Sequence, residues 1–89
     1  AERIGLVARV VPAAELMATA RKVAEAILAK SPAGVAHAKT LVRDGMAMDL
    51  QRALQFEIDL VHEWATTHPD AMEGLAAFAE RRAPRFAKP

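Results

Sequence analysis

Cysteine is absent from these 89 residues, and so is tyrosine. Without a thiol there is no disulfide scaffold, no zinc-thiolate site and no sulfur nucleophile, and a reducing, cytoplasmic setting is the expectation. Aromatic residues make up only 4% of a chain that is 53% hydrophobic, because alanine supplies much of the apolar content. Alanine favours helix and fills little volume, which suits closely packed helices better than a sheet sandwich. No apolar run reaches the roughly 18 residues that a membrane span needs. The opening AERIGLVARVVP lacks the basic-then-apolar order of a secretion signal. The four glycines are scattered, so no glycine-rich phosphate loop exists.

Charge is scarce in net terms but unevenly placed. Residues 1–80 carry eight basic and eleven acidic side chains, a balance of −3, whereas residues 81–89 carry Arg81, Arg82, Arg85 and Lys88 and no acid, +4. A near-neutral body with a basic end lacks the broad basic face of a nucleic-acid binder, so no nucleic-acid partner is expected. Such an end suits one phosphate group or a solvated tail.

The hydrophobic spacing predicts an all-α fold of about four helices after one short N-terminal strand or extended segment, residues 6–11, which stops at Pro12. A lone strand has no partner in the chain to satisfy its backbone groups. Leu16, Ala20, Val23 and Ile27 form one stripe of a first helix over 13–30. Ser31 caps a second helix with Pro32 at its first position, and Gly45 ends it. Asp49 caps a third helix over 50–66, whose two apolar faces imply burial on both sides or a face left for a partner. Thr67 and Asp70 read as a capping box around Pro69, opening a fourth helix that runs to about Arg82 before Pro84 forbids its continuation.

Little here resembles a self-sufficient catalytic centre. His62-Glu63 begins like a zinc-protease helix motif, but Thr66 occupies the place of the second histidine. His37 and His68 lack companions with ligand spacing. Asp59 and Glu63 lie one turn apart, the ordinary pattern of a solvated face, and Glu57 reads as a partly buried carboxylate bonding a neighbouring helix. Ser31, the sole serine, is accounted for by its cap. Gly74 inside a helix costs about 1 kcal/mol relative to alanine, which points to close packing against a neighbouring helix. Phe78 and Arg81, three apart on one face, can place a ring and a guanidinium against a nucleotide; the plainer alternative is a core phenylalanine beside a solvated arginine.

The stretch EGLAAFAERRAPRF at residues 73–86 resembles the C-terminal signature of the enoyl-CoA hydratase/isomerase, or crotonase, family. RIGLVARVVPAAEL, AEAILAKSPAGVAHAKTLV and the helix around Glu57 resemble that family in the same order, so the likeness covers essentially all 89 residues. It implies that residues 1–89 form the C-terminal helical domain, serving oligomerisation and CoA capping, of a longer acyl-CoA enzyme. The expected activity is that of enoyl-CoA hydratase, a lyase of fatty acid metabolism. The oxyanion hole and the acid/base carboxylates would then lie upstream of Ala1, leaving this chain no catalytic residue. The resemblance implies an acyl-CoA thioester as substrate, no separate cofactor or metal, and a trimeric or hexameric homo-oligomer. Phe78 matches the family's aromatic beside CoA. Arg81 matches a basic position, more often lysine, that reaches the CoA phosphates; arginine keeps the charge and adds a forked donor. The alternative is a stand-alone helical self-association or acyl-CoA-binding module without catalysis.

Overall fold

A computed structural model describes residues 1–88. The four helices are α1 (Leu16–Leu28), α2 (Pro32–Gly45), α3 (Leu50–Thr67) and α4 (Pro69–Ala79), as the all-α expectation requires. Among the described residues there is no strand. The chain enters through a 3₁₀ turn at Glu2–Ile4, closed by Gly5 in the left-handed region (φ 76°), and residues 6–11 follow as bends and irregular backbone. The apolar run at 6–11 finds no second strand to pair with, so it stays irregular. The first helix is shorter than its stripe predicts: Ala13–Glu15 form a second 3₁₀ turn before α1 begins.

The caps of α2 and α3 follow the sequence. Ser31 Oγ accepts the Gly34 N–H at 3.1 Å, with Pro32 in the first turn where its missing N–H costs nothing. Asp49 Oδ1 accepts the Arg52 N–H at 3.0 Å. The α3–α4 junction differs from the expected capping box. Thr67 is the last residue of α3, and its hydroxyl donates back to the Glu63 carbonyl at 2.6 Å. That local bond competes with capping. His68 takes the cap position, its Nδ1 accepting the Asp70 N–H at 3.2 Å. The imidazole also stacks on Trp64, with centroids 6.1 Å apart and planes 15° from parallel.

α2 and α3 pack most closely, α4 lies against α3, and α1 is tied chiefly to the 3₁₀ turn before it. The result is open. The accessible surface is 7695 Å², whereas a compact monomer of 9.6 kDa exposes about 5,100 Å². The radius of gyration is 16.5 Å against about 12 Å for a compact domain of this length. Ala71 and Ala77 on α4 are the buried hydrophobic residues, and α1, α2 and α3 bury none. The apolar stripe of α1 and the Leu50, Leu54, Ile58 and Val61 face of α3 lie exposed, whereas Ala53, Phe56, Leu60 and Trp64 of α3 are half-buried.

Candidate functional site

The end of α4 gathers the basic residues into a defined shape. Arg82 N–H donates to the Ala77 carbonyl at 3.0 Å and Arg81 N–H to the Phe78 carbonyl at 3.2 Å. These are the two bonds of a Schellman cap, and they place Arg81 at the position glycine usually fills. Arg81 is left-handed there, with φ 53°, the sole non-glycine residue with positive φ among those described. A side chain in that region costs about 1–2 kcal/mol. The helix therefore ends at Ala79, two to three residues earlier than expected, and reverses direction.

After the reversal the chain runs back along α4. Glu73, on the second turn of that helix, receives it. Its carboxylate takes a forked pair from Arg82, 2.6 and 3.1 Å, and the Arg85 N–H at 2.7 Å. Arg82 also donates to Glu80 at 2.5 Å. These donors favour the charged form and pull the Glu73 carboxyl down to about 2, Arg82 contributing most. One turn earlier, Asp70 is almost wholly buried. Its Oδ1 accepts the Ala87 N–H at 2.9 Å, and its Oδ2 accepts the hydroxyl of Ser31, 39 residues away. The Ala87 and Ser31 donors hold its carboxyl below the usual range, against the opposing effect of burial. Phe86 lies 4.0 Å from where a Cβ on Gly74 would sit. Gly74 thus meets the returning tail at ordinary contact distance, not a neighbouring helix as expected.

The backbone of the basic end is thereby docked on α4, while the side chains of Arg81, Arg85 and Lys88 remain exposed. The basic end is also divided in role. Arg82 is spent on Glu73 and Glu80, while no carboxylate pairs with Arg81 among the described residues. Phe78 is 87% exposed, so it is not a core residue. Phe78 lies on the last turn of α4 and Arg81 beyond its end in the left-handed region, so the shared helix face expected of them is not formed; both are exposed, and the Arg81 N–H bonds the Phe78 carbonyl.

The other candidates do not converge. His62 and Glu63 are exposed, and no group of three metal-ligating side chains occurs among the described residues. Glu57 is exposed at the edge of a shallow α2–α3 depression, not partly buried and bonded as expected. Asp59 accepts from Gln55 within α3 at 2.8 Å. His37 Nδ1 and Trp64 Nε1 are buried without a partner beside a hollow of about 200 Å³ between α2 and α3. A larger cleft, about 840 Å³, opens between the end of α1, the start of α2 and the tail, with Ile27, Val35 and Phe86 in its walls and Lys30, Arg85 and Lys88 around it. Neither Phe78 nor Arg81 lines it. Sequence reading missed Asp70 and Glu73 as tail anchors. A Glu-x₈-Arg spacing carries no periodic signal, and only the reversal at Arg81 makes the two meet.

The enoyl-CoA hydratase/isomerase family model matches residues 1–89. A Dictyostelium discoideum protein named "Probable enoyl-CoA hydratase, mitochondrial" is 43% identical over 97% of this chain and 31% of its own length. The short-chain-enoyl-CoA hydratase of Clostridium acetobutylicum is 39% identical over 90% of this chain and 30% of its own. The solved structure of enoyl-CoA hydratase from Bacillus anthracis superposes with a TM-score of 0.88 at 36% identity, covering 96% of this chain and 33% of that one. The chain spans about a third of the length of the relatives it matches.

Proposed function

Because this chain belongs to the enoyl-CoA hydratase/isomerase family, we propose that it serves as the C-terminal assembly and CoA-binding part of an enoyl-CoA hydratase, an enzyme that adds water across the 2,3 double bond of an enoyl-CoA. The single observation that supports the binding role is that the end of α4 carries an exposed Phe78 and, just beyond it, an exposed Arg81 with no carboxylate partner among the described residues. The ring offers a face for the adenine, and the guanidinium offers a forked, charge-assisted partner for phosphate. On this reading the chemistry of hydration belongs to groups outside these residues. Substrate is an acyl-CoA thioester, with CoA carried as part of it. The bacterial sources of most named relatives favour a cytoplasmic site, while one relative carries a mitochondrial name.

Kinetics of the full-length enzyme carrying this chain test the binding role. Arg81→Ala is expected to raise KM for a CoA thioester roughly ten- to a hundred-fold with little change in kcat, because a phosphate contact is felt alike in ground and transition states. The pantetheine thioester, which lacks the nucleotide, should show no such rise. Equal effects on both substrates would remove Arg81 from the CoA site.

The uncovered surface favours self-association as a second role of the same chain. About 2,600 Å² is exposed beyond that of a compact monomer, more than a standard interface buries in total. Sedimentation of residues 1–89 should show oligomers at tens of micromolar, and Val23→Glu with Ile27→Glu should shift them toward monomer. A wild-type monomer at all concentrations would count against this role.

A further inference from the structure

Arginine at the glycine position of a helix cap is a conformation that must be maintained from elsewhere, and the neighbouring contacts show from where. Immediately after Arg81, Arg82 is gripped by Glu73 through two hydrogen bonds, and three residues later the Arg85 N–H is taken by the same carboxylate. Glu73 sits on α4 itself, so both ends of the reversal are fixed to one rigid element. Arg81 has no such tie of its own; its direction is set by the segment on either side. Held so, the Arg81 backbone is fixed relative to the last turn of α4, which carries Phe78. Released, the turn is free to leave the left-handed region, where a non-glycine residue is disfavoured.

We propose that Glu73 is a positioning residue: by clamping Arg82 and the Arg85 backbone it holds the left-handed turn that aims Arg81 at a phosphate group. This rests on the CoA-binding reading of Phe78 and Arg81. Glu73 touches no ligand in this scheme, and its effect runs entirely through the backbone of residues 81–85. The forked bridge matters more than its charge alone, because two parallel N–H···O contacts fix orientation as well as distance.

The test uses the full-length enzyme and the ratio of KM for a CoA thioester to KM for its pantetheine analogue. Glu73→Gln is expected to raise that ratio about three- to ten-fold, as coupling through one intermediate residue allows. On an Arg81→Ala background the same substitution should leave the ratio where Arg81→Ala put it. Arg82→Gln, which removes the other half of the clamp, should reproduce the effect and serves if Glu73→Gln fails to fold. A merely structural role would lower melting temperature and disturb both substrates alike, leaving the ratio unmoved, and that result overturns the proposal. If Arg81→Ala changes the ratio and neither clamp variant does, positioning by Glu73 is wrong and the CoA reading stands. If Arg81→Ala itself leaves the ratio unchanged, the CoA reading falls and the positioning role falls with it.

Discussion

Helices α1 and α4 have similar lengths, 13 and 11 residues, and both carry apolar side chains along their faces, yet they are held in different ways. Leu16, Met17, Val23 and Ile27 on α1 are each at least half exposed, and Leu28 is 80% exposed. No side chain of α1 takes part in a hydrogen bond that fixes it to another helix among the described residues. Helix α4 buries Asp70, Ala71 and Ala77 and receives both the start of α2 and the C-terminal tail on its carboxylates. In this chain precise geometry is supplied by polar ties of long sequence separation. The apolar stripe of α1, by contrast, remains available for contacts beyond these residues. The region with the fixed geometry is also the one that carries Phe78 and Arg81.

The sharpest way to break this contrast is to cut its central tie. Asp70→Ala removes the partner of the buried Ser31 hydroxyl and of the Ala87 N–H at once, and an unpaired buried donor is costly. The melting temperature should drop by roughly 10 °C or more, with the tail becoming protease-sensitive. Leu28→Ala, on the exposed end of α1, should move it by no more than about 2 °C. Comparable losses from the two substitutions would mean that α1 is held as firmly as α4.

Acid should separate the same two regions more gently. The Glu73 carboxyl is lowered from an ordinary 4.5 to about 2, and Asp70 is lowered as well. A depressed acid stabilises the fold fully above its unfolded value and loses that contribution as pH falls through the folded one. Tail docking should therefore weaken between about pH 4.5 and 2. Amide resonances of Arg85 and Ala87 should titrate in that window, while those of α1 show no matching step. A tail that stays docked at pH 2 would show that the two carboxylates do not hold it.

The smallest effect is expected at Gly74. A methyl there meets Phe86 at 4.0 Å, an ordinary contact, and no positive φ is recorded for this glycine. Gly74→Ala should raise stability by about 0.5–1 kcal/mol through helix propensity. A loss in thermal unfolding would indicate that tail and helix approach more closely than 4.0 Å.

Much of this architecture is legible in the sequence because it is written locally. Ser31-Pro32 and Asp49 cap their helices as their chemistry dictates, Gly45 ends α2, and the stripe at Leu16, Ala20, Val23 and Ile27 marks α1. The likeness of residues 73–86 to the family also picks out Phe78 and Arg81. Two local signals misled. Thr67 resembles a cap, but its hydroxyl prefers the Glu63 carbonyl, leaving the work to His68. The run at 6–11 is rich in strand-forming residues and finds no second strand. What could not be read at all is the set of contacts made by chain reversal. Nothing in the spacing of Ser31 and Asp70, or of Glu73 and Arg82, marks them as partners, and an arginine in the left-handed region contradicts its own propensity.

The bond from Ala87 to Asp70 makes residues 85–87 a fastening of the chain onto α4. Replacing Ala87 by proline, which has no N–H to donate, would leave one oxygen of the buried Asp70 carboxylate without its donor while every basic side chain of the turn stays in place. Loss of the fastening would thus be separated from loss of the basic side chains at the turn.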